Sequence, residues 1–594
     1  MPSYRAPVDE VLFLLSDVLH WDRHSNLPGF GEADLATVEI VLREAAKLCE
    51  QAFQPINLTG DREGCRRNPD GSVTTPAGFK EAYRAYAQGG WVGLSADSAW
   101  GGQGLPYTVA SIVNEFAAAA NMSLTMYPGL TQSAIAAVNA HASQELKQLY
   151  LPKMVAGEWS GTMNLTEPQC GTDLGLITTQ AIEDGRGAYR LHGTKIFISA
   201  GEHDLCENIV HLVLARIEGA PPGTKGLSLF LVPKFEARPD GSLGERNTLS
   251  CGSIEHKMGI HGNATCVMNY DGARGWLVGE ANRGLAAMFV MMNEARLGVA
   301  SQGLAQSEVA YQNAARYARE RLQGRALGRR GANGRADPII VHPDVRRMLL
   351  SIRAFNEAAR ALLAYASLQA DVARVSADPA EKLHAEDRLG LLTPVLKGVL
   401  TDRGFDNAVL AQQVFGGHGY VAEHGMEQFV RDARITMIYE GANGVQALDL
   451  VGRKVPRDGG RAIRSFLDEI DASLSDAPEQ ELEPIRLAVK ESLEHIRQAS
   501  FWLLENGLAN PDNAAAGSYD YMHLLGGVAL GYMWLRIAKA ALLRKSAGVE
   551  APELDAKLRL AKFYCGRMLP ETGLRLARIR CGAQDLMSIP AEVF

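Results

Sequence analysis

The sequence predicts an α+β protein with its parts segregated along the chain: an N-terminal helical domain, a central antiparallel β-domain, a C-terminal helical bundle and a further helical extension. Three observations predict it. Apolar residues recur every three or four positions up to about residue 157 and again from about residue 277. Between them the texture changes to short alternating or apolar runs separated by Gly, Pro and Asp. The candidate strands are bunched instead of alternating with helices, which disfavours a doubly wound α/β fold.

Each part follows from its own residues. In 1–157 the run Leu35–Leu48 carries one apolar face at helical spacing. In 158–276 the segments Tyr189–His192, Lys195–Ser199, Ile209–Ala215 and Leu227–Val232 read as strands. In 277–455 a long Ala-rich helix from Gly284 is followed by a Gly- and Arg-rich loop from Arg321 to Pro338 and by more helix. Pro456-Arg-Asp-Gly-Gly460 marks a hinge, and 456–594 is helical in texture to its end.

Composition excludes several classes. A chain of 594 residues with 46% hydrophobic and 22% charged residues supports a large core and excludes bulk disorder. The formal charge of −8 argues against a chain-wide nucleic-acid footprint, and 456–594 holds 17 Lys and Arg against 19 Asp and Glu. Eight scattered cysteines without a C-x-x-C point to reduced thiols and a cytoplasmic protein. The start, Met1-Pro-Ser-Tyr-Arg-Ala-Pro7, lacks a signal-peptide pattern. The uncharged stretch Tyr521–Leu535 contains His523 and three glycines and is too short to span a membrane, so no span is expected. There is no H-E-x-x-H, no G-x-S-x-G, no Walker A sequence and no Cys/His set at ligand spacing, so no metal is expected. Gly416-Gly-His-Gly-Tyr420 lacks dinucleotide-loop spacing and, by itself, reads as a tight turn.

Six segments in order carry more. They are Met163-Asn-Leu-Thr-Glu-Pro-Gln-Cys-Gly-Thr-Asp173, Gly193-Thr-Lys-Ile-Phe-Ile-Ser199, Lys257-Met-Gly-Ile260, Leu277-Val-Gly-Glu280, Gln413-Val-Phe-Gly-Gly-His-Gly-Tyr420 and Ile438-Tyr-Glu-Gly441. Together they resemble the flavin-dependent acyl-CoA dehydrogenase family from about Trp91 to Arg453. The lead-in and the extension are similar to the longer branch that includes 3-(methylthio)propanoyl-CoA dehydrogenases.

The resemblance implies the family's helix–β–helix fold and FAD as cofactor. By motif, the main chain of Met163 and Leu165 and the side chain of Thr166 would contact the flavin ring, and Thr172 would reach FAD phosphates or substrate. Phe197 stands where the family usually has Trp, and Ser199 where it has Thr; an aromatic face and a hydroxyl survive both changes. Arg321 resembles the arginine that a neighbouring subunit places on the FAD diphosphate, and Gln413, Gly416 and Gly417 resemble the loop under the adenosine end. Arg321-Leu-Gln-Gly324 is one residue shorter than the family's usual run, and Ala442 and Gly444 replace side chains that commonly touch FAD. Arg325, Arg329, Arg330 and Arg335 read as a solvated loop.

For the chemistry, oxidising a thioester at Cα–Cβ requires a base for the α-proton, a hydride acceptor and donors for the carbonyl oxygen. Glu440 matches the family's base, with its backbone N–H and a flavin ribityl hydroxyl holding the carbonyl. Its pKa is expected to rise when substrate excludes water. Asn293, Arg296, Tyr439, Gly441 and Thr172 are expected at the acyl-CoA site. A rival base position on the earlier helix holds Ala295, and Glu294 one residue back is rotated by about 100°. The expected activity is conversion of an acyl-CoA, either 3-(methylthio)propanoyl-CoA or a medium- or long-chain straight acyl-CoA, to its trans-2-enoyl-CoA in fatty-acid β-oxidation, by a homo-oligomer built on dimers that passes electrons to electron-transfer flavoprotein. An oxygen-using acyl-CoA oxidase is the enzymatic alternative, and a DNA-binding relative a weaker one.

Overall fold

The computed structural model describes residues 2–185, 187–326, 336–477 and 480–594. Its chain forms two compact units, Arg43–Gly298 and the pair of segments Met1–Leu42 and Val299–Phe594. The amphipathic run Leu35–Leu48 is helical, as its spacing predicts.

The unit Arg43–Gly298 includes the helices α1 (Phe79–Gln88), α2 (Tyr107–His141) and α3 (Gln144–Val155). Most of α2 is apolar all round and buried, so it is a core helix. Asn121 breaks it with φ −159° and ψ 92°, and the Asn121 Oδ1 accepts from Leu124 N at 3.1 Å, capping the second segment. Ser143 Oγ caps α3 through Leu146 N at 3.3 Å.

The sheet follows, with strands β1 (Trp159–Asn164), β2 (Gln180–Glu183), β3 (Tyr189–Ser199), β4 (Asn208–Ile217), β5 (Leu227–Pro233), β6 (Leu249–Ile254) and β7 (Thr265–Val278). The path runs β6–β7–β3–β2–β4–β1, and β5 joins β7 to β4, so five strands close on themselves. Most pairs are antiparallel, as the sequence predicts. The departures are β1 and β2, which both run parallel to β4. Local alternation reports which face a residue takes, not the direction of its partner strand. Leu191, Val213, Phe230, Met268 and Tyr270 fill the closed face. A Cβ on Gly161 would meet the Ala134 Cβ at 2.5 Å, so glycine lets β1 lie against α2.

A long helix α4 (Gly284–Glu320) leads into the second unit. There α5 (Pro343–Val375) and α6 (Pro379–Val414) form a hairpin, and the Asp378 carboxylate caps α6 through Ala380 N at 2.9 Å. Short helices α7 (Met426–Thr436) and α8 (Asn443–Asp449) flank residues 437–442. After a turn in which Asp458 and Gly459 leave helical geometry come α9 (Arg461–Ser475), α10 (Glu483–Ala509), α11 (Pro511–Ser546), α12 (Pro552–Arg567) and α13 (Glu571–Arg580). The extension belongs to the same compact unit as the bundle. The uncharged stretch of α11 is buried, and Trp534 Nε1 donates to Ala354 O of α5 at 2.9 Å. Among the described residues no helix is long and apolar enough to cross a membrane, and no group of three or more His, Cys, Asp or Glu could hold a metal. The eight cysteines form no disulfide.

Candidate functional site

In the unit Arg43–Gly298 the candidates gather where β1 ends beside β3. Along β3 the register against β7 slips between Cys266 and Met268, so Ile196 and Phe197 share the space opposite Val267. Such a bulge re-aims a side chain. Phe197 takes φ 58°, in the left-handed region, and the residue is 59% exposed. An exposed ring on strained backbone is a feature of binding sites more than of cores. Ser199 is half-buried on the same strand, and its carbonyl accepts from Thr162 Oγ1 at 2.7 Å.

Met163 is half-buried on β1, in register with Leu212 of β4. Beyond the strand, Ile196 N donates to Thr166 O at 2.9 Å and Lys195 Nζ to Leu165 O at 3.0 Å, fastening both residues to β3. Thr172 lies exposed in the turn that follows.

A buried ion pair supports this loop. Lys195 Nζ lies 2.8 Å from Glu167 Oε1, with side chains 0% and 2% exposed. The Glu167 carboxylate also accepts from Thr179 N at 3.0 Å, Thr178 N at 2.8 Å and Thr178 Oγ1 at 2.7 Å. Burial works to raise the Glu167 carboxyl, but the Lys195 charge, with hydrogen bonds from Lys195, Thr179 and Thr178, outweighs it and holds the group at about 2. Sequence reasoning quoted this Glu and Lys within two motifs without pairing them.

On α4, Arg296 is buried with its guanidinium 5.9 Å from the Phe289 ring centroid. Asn293, one turn earlier, is exposed, and Glu294 is half-buried.

In the second unit, Glu440 sits between α7 and α8 with φ 57°, a left-handed conformation that costs a non-glycine residue about 1–2 kcal/mol. Its loop is clamped. Gln446 Nε2 donates to Glu440 O at 3.0 Å and to Gly441 O at 3.2 Å, and Lys397 Nζ donates to Gly441 O at 2.8 Å. Gly441 has φ 86°, and a Cβ there would meet Gln446 Nε2 at 2.6 Å, so the clamp needs glycine. The Tyr439 hydroxyl donates to Gln302 Oε1, and burial raises its pKa. Lys397 was overlooked, although a lysine within Val395-Leu-Lys-Gly-Val-Leu400 was its signal: an ammonium on an apolar helix face needs buried acceptors.

Gln413, Gly416 and Gly417 are exposed at the end of α6, where residues 416–420 make a single tight turn. A Cβ on Gly416 or Gly417 would meet nothing within 4 Å. The turn is braced from α4, since Tyr317 stacks on Phe415 at 4.1 Å between centroids and its hydroxyl shares a 2.8 Å hydrogen bond with His418 Nδ1. Arg321, one turn beyond Tyr317, is exposed, and its carbonyl accepts from Ile339 N at 2.8 Å. Arg325 is exposed as well, while Arg329, Arg330 and Arg335 lie outside the described residues.

In the unit Arg43–Gly298 an exposed aromatic face with a nearby hydroxyl suits a flavin ring; in the other unit, taken by itself, an exposed arginine and unobstructed glycines suit a phosphate and adenosine end. That unit also provides a carboxylate held on strained backbone, the form a positioned base takes.

Four family signatures match in order: acyl-CoA dehydrogenase N-terminal domain (39–158), middle domain (162–273) and C-terminal domain (282–455), and an acetyl-CoA dehydrogenase C-terminal-like region (466–590). The 3-methylmercaptopropionyl-CoA dehydrogenase of Ruegeria pomeroyi is 41% identical over 99% of both chains. Among solved structures, Caenorhabditis elegans ACDH-11 in complex with C11-CoA superposes with TM-score 0.77 at 20% identity, covering 96% of this chain and 92% of that one. The Bacillus anthracis acyl-CoA dehydrogenase complexed with FAD gives 0.74 at 18% identity, covering 92% and 88%. The chain therefore belongs to the acyl-CoA dehydrogenase family, FAD-dependent oxidoreductases that act on the CH–CH bond of acyl-CoA thioesters.

Proposed function

We propose that this protein oxidises an acyl-CoA to its trans-2-enoyl-CoA with Glu440 as the base, and that 3-(methylthio)propanoyl-CoA is a substrate. The observation that carries the reading is the left-handed backbone of Glu440, clamped through two successive carbonyls. Strain of that kind persists where the surroundings over-determine it, and a base must be held within hydrogen-bond reach of the carbon it deprotonates. The substrate follows the 41% identical relative, which matches over the whole chain including the extension.

The Glu440 carboxylate removes the α-proton and keeps it on a carboxyl oxygen, while the Glu440 backbone N–H donates to the thioester carbonyl oxygen as negative charge develops there. FAD, when bound, supplies at flavin N5 the acceptor for the hydride that leaves Cβ. Met163, Leu165, Thr166, Phe197 and Ser199 would hold the flavin ring, Phe197 offering it an aromatic face. Arg321 would reach the FAD diphosphate of a neighbouring subunit, and Gln413, Gly416 and Gly417 would lie under the adenosine end. Thr172, Asn293, Arg296, Tyr439 and Gly441 line the acyl-CoA path. The protein acts in the cytoplasm as a homodimer and passes electrons to an electron-transfer flavoprotein.

The test is anaerobic bleaching of the flavin by a panel of acyl-CoAs on wild type, Glu440→Gln and Glu294→Gln. Glu440→Gln is expected to slow bleaching by about 10²–10⁴-fold and Glu294→Gln to leave it within a few fold. The opposite pattern reassigns the base, and bleaching by every thioester except the methylthio one removes the substrate proposal.

A further inference from the structure

The Glu440 loop is tied to the C-terminal extension by a polar chain that is buried as far as His523 and reaches the surface at Tyr519, 40% exposed. Gly441 O accepts from Lys397 Nζ at 2.8 Å, and Lys397 Nζ donates equally to Asn443 Oδ1 at 2.8 Å. Asn443 Nδ2 donates in turn to Asp402 Oδ1 at 2.7 Å and Thr401 Oγ1 at 2.9 Å. The other oxygen of Asp402 accepts from two residues of α11, Tyr519 OH at 2.7 Å and His523 Nε2 at 2.8 Å. Lys397, Asp402, Asn443 and His523 are all buried.

The packing explains why the chain closes. A Cβ on Gly398 would meet Met522 Sδ at 2.3 Å, and one on Gly526 would meet Val399 Cγ2 at 2.6 Å. Glycine on each helix therefore brings α6 and α11 close enough for Asp402 to reach two successive turns of α11. Buried polar groups stay where all their partners are present, so fully satisfied networks of this kind fix geometry.

We infer that Tyr519 and His523 of the extension are positioning residues for the reaction: through Asp402, Asn443 and Lys397 they hold the Gly441 carbonyl, and with it the left-handed backbone of Glu440. This rests on Glu440 being the base. It gives the extension a task in the chemistry beyond covering the bundle.

The experiment compares wild type, Tyr519→Phe, Tyr519→Phe/His523→Leu and His523→Gln as purified holoenzymes. It reads FAD content, melting temperature, kcat, KM and the kinetic isotope effect with α-deuterated acyl-CoA. The double variant is expected to lose kcat by about 10- to 100-fold with KM near wild type and full FAD, and to show a larger α-deuterium effect because proton removal has become slower. His523→Gln, which restores an amide donor, recovers most of that loss. If the double variant does not fold, Tyr519→Phe carries the test with the same pattern at smaller size. A folded, flavin-loaded variant with kcat within two-fold of wild type overturns the inference, as does a loss of kcat with an unchanged α-deuterium effect. Glu440→Gln run alongside separates the two failures: if it keeps turnover, the base assignment is wrong whatever the α11 variants do.

Discussion

Replacing Glu167 by Gln tests the support beneath the proposed flavin loop. The substitution keeps size and shape but puts an NH2 group where an acceptor stood. Thr178 N and Thr179 N, on the two carboxylate oxygens at 2.8 and 3.0 Å, cannot reverse their polarity, so one of them faces a donor in either rotamer. Lys195, fully buried at 2.8 Å, loses its counter-charge. Two routes give the size. Holding the carboxyl at about 2 against its ordinary 4.5 is worth about 3.5 kcal/mol at about 1.4 kcal/mol per pH unit. Breaking one side of a buried ion pair costs about 3–5 kcal/mol. Urea unfolding at pH 7 is therefore expected to show a loss of about 3–5 kcal/mol with a parallel fall in retained FAD. Because the folded value lies below the unfolded one, the contribution is complete above pH 4.5 and is lost as pH falls from there towards 2. Glu167→Gln/Lys195→Met should cost less than the sum of its single variants. A Glu167→Gln loss below about 1 kcal/mol, or strict additivity in the cycle, would refute the reasoning.

Three further outcomes are expected. Phe197→Ala should weaken FAD retention by about 2- to 10-fold, measured by flavin released on dilution, while Phe197→Trp keeps it. Gly441→Ala puts a Cβ at φ 86° and 2.6 Å from Gln446 Nε2 and should lower kcat by about tenfold or more with unchanged FAD content, read by steady-state turnover. Lys557→Met removes the 3.0 Å contact from α12 to Glu357 on α5; because Arg353 Nε still donates to Glu357 at 2.7 Å, thermal unfolding should register only about 1–3 kcal/mol.

The helical run Leu35–Leu48 and the long strands β3, β4 and β5 were legible from local residues alone, the helix by its 3.6-residue spacing, β3 by partial alternation, and β4 and β5 as short continuous apolar runs. The ordered motifs, with Glu440 among them, were legible for the same reason, since each is a short contiguous string. Tertiary structure decided what lies across the chain. Lys195 finds Glu167 from 28 residues away, Lys397 finds Gly441 from 44, and His523 finds Asp402 from 121. The parallel neighbours of β4 are of the same kind. A buried charge announces in sequence that it needs a partner, but desolvation only sets the need; which residue meets it depends on how closely two helices or strands approach, and here glycines at 398 and 526 settle that for α6 and α11.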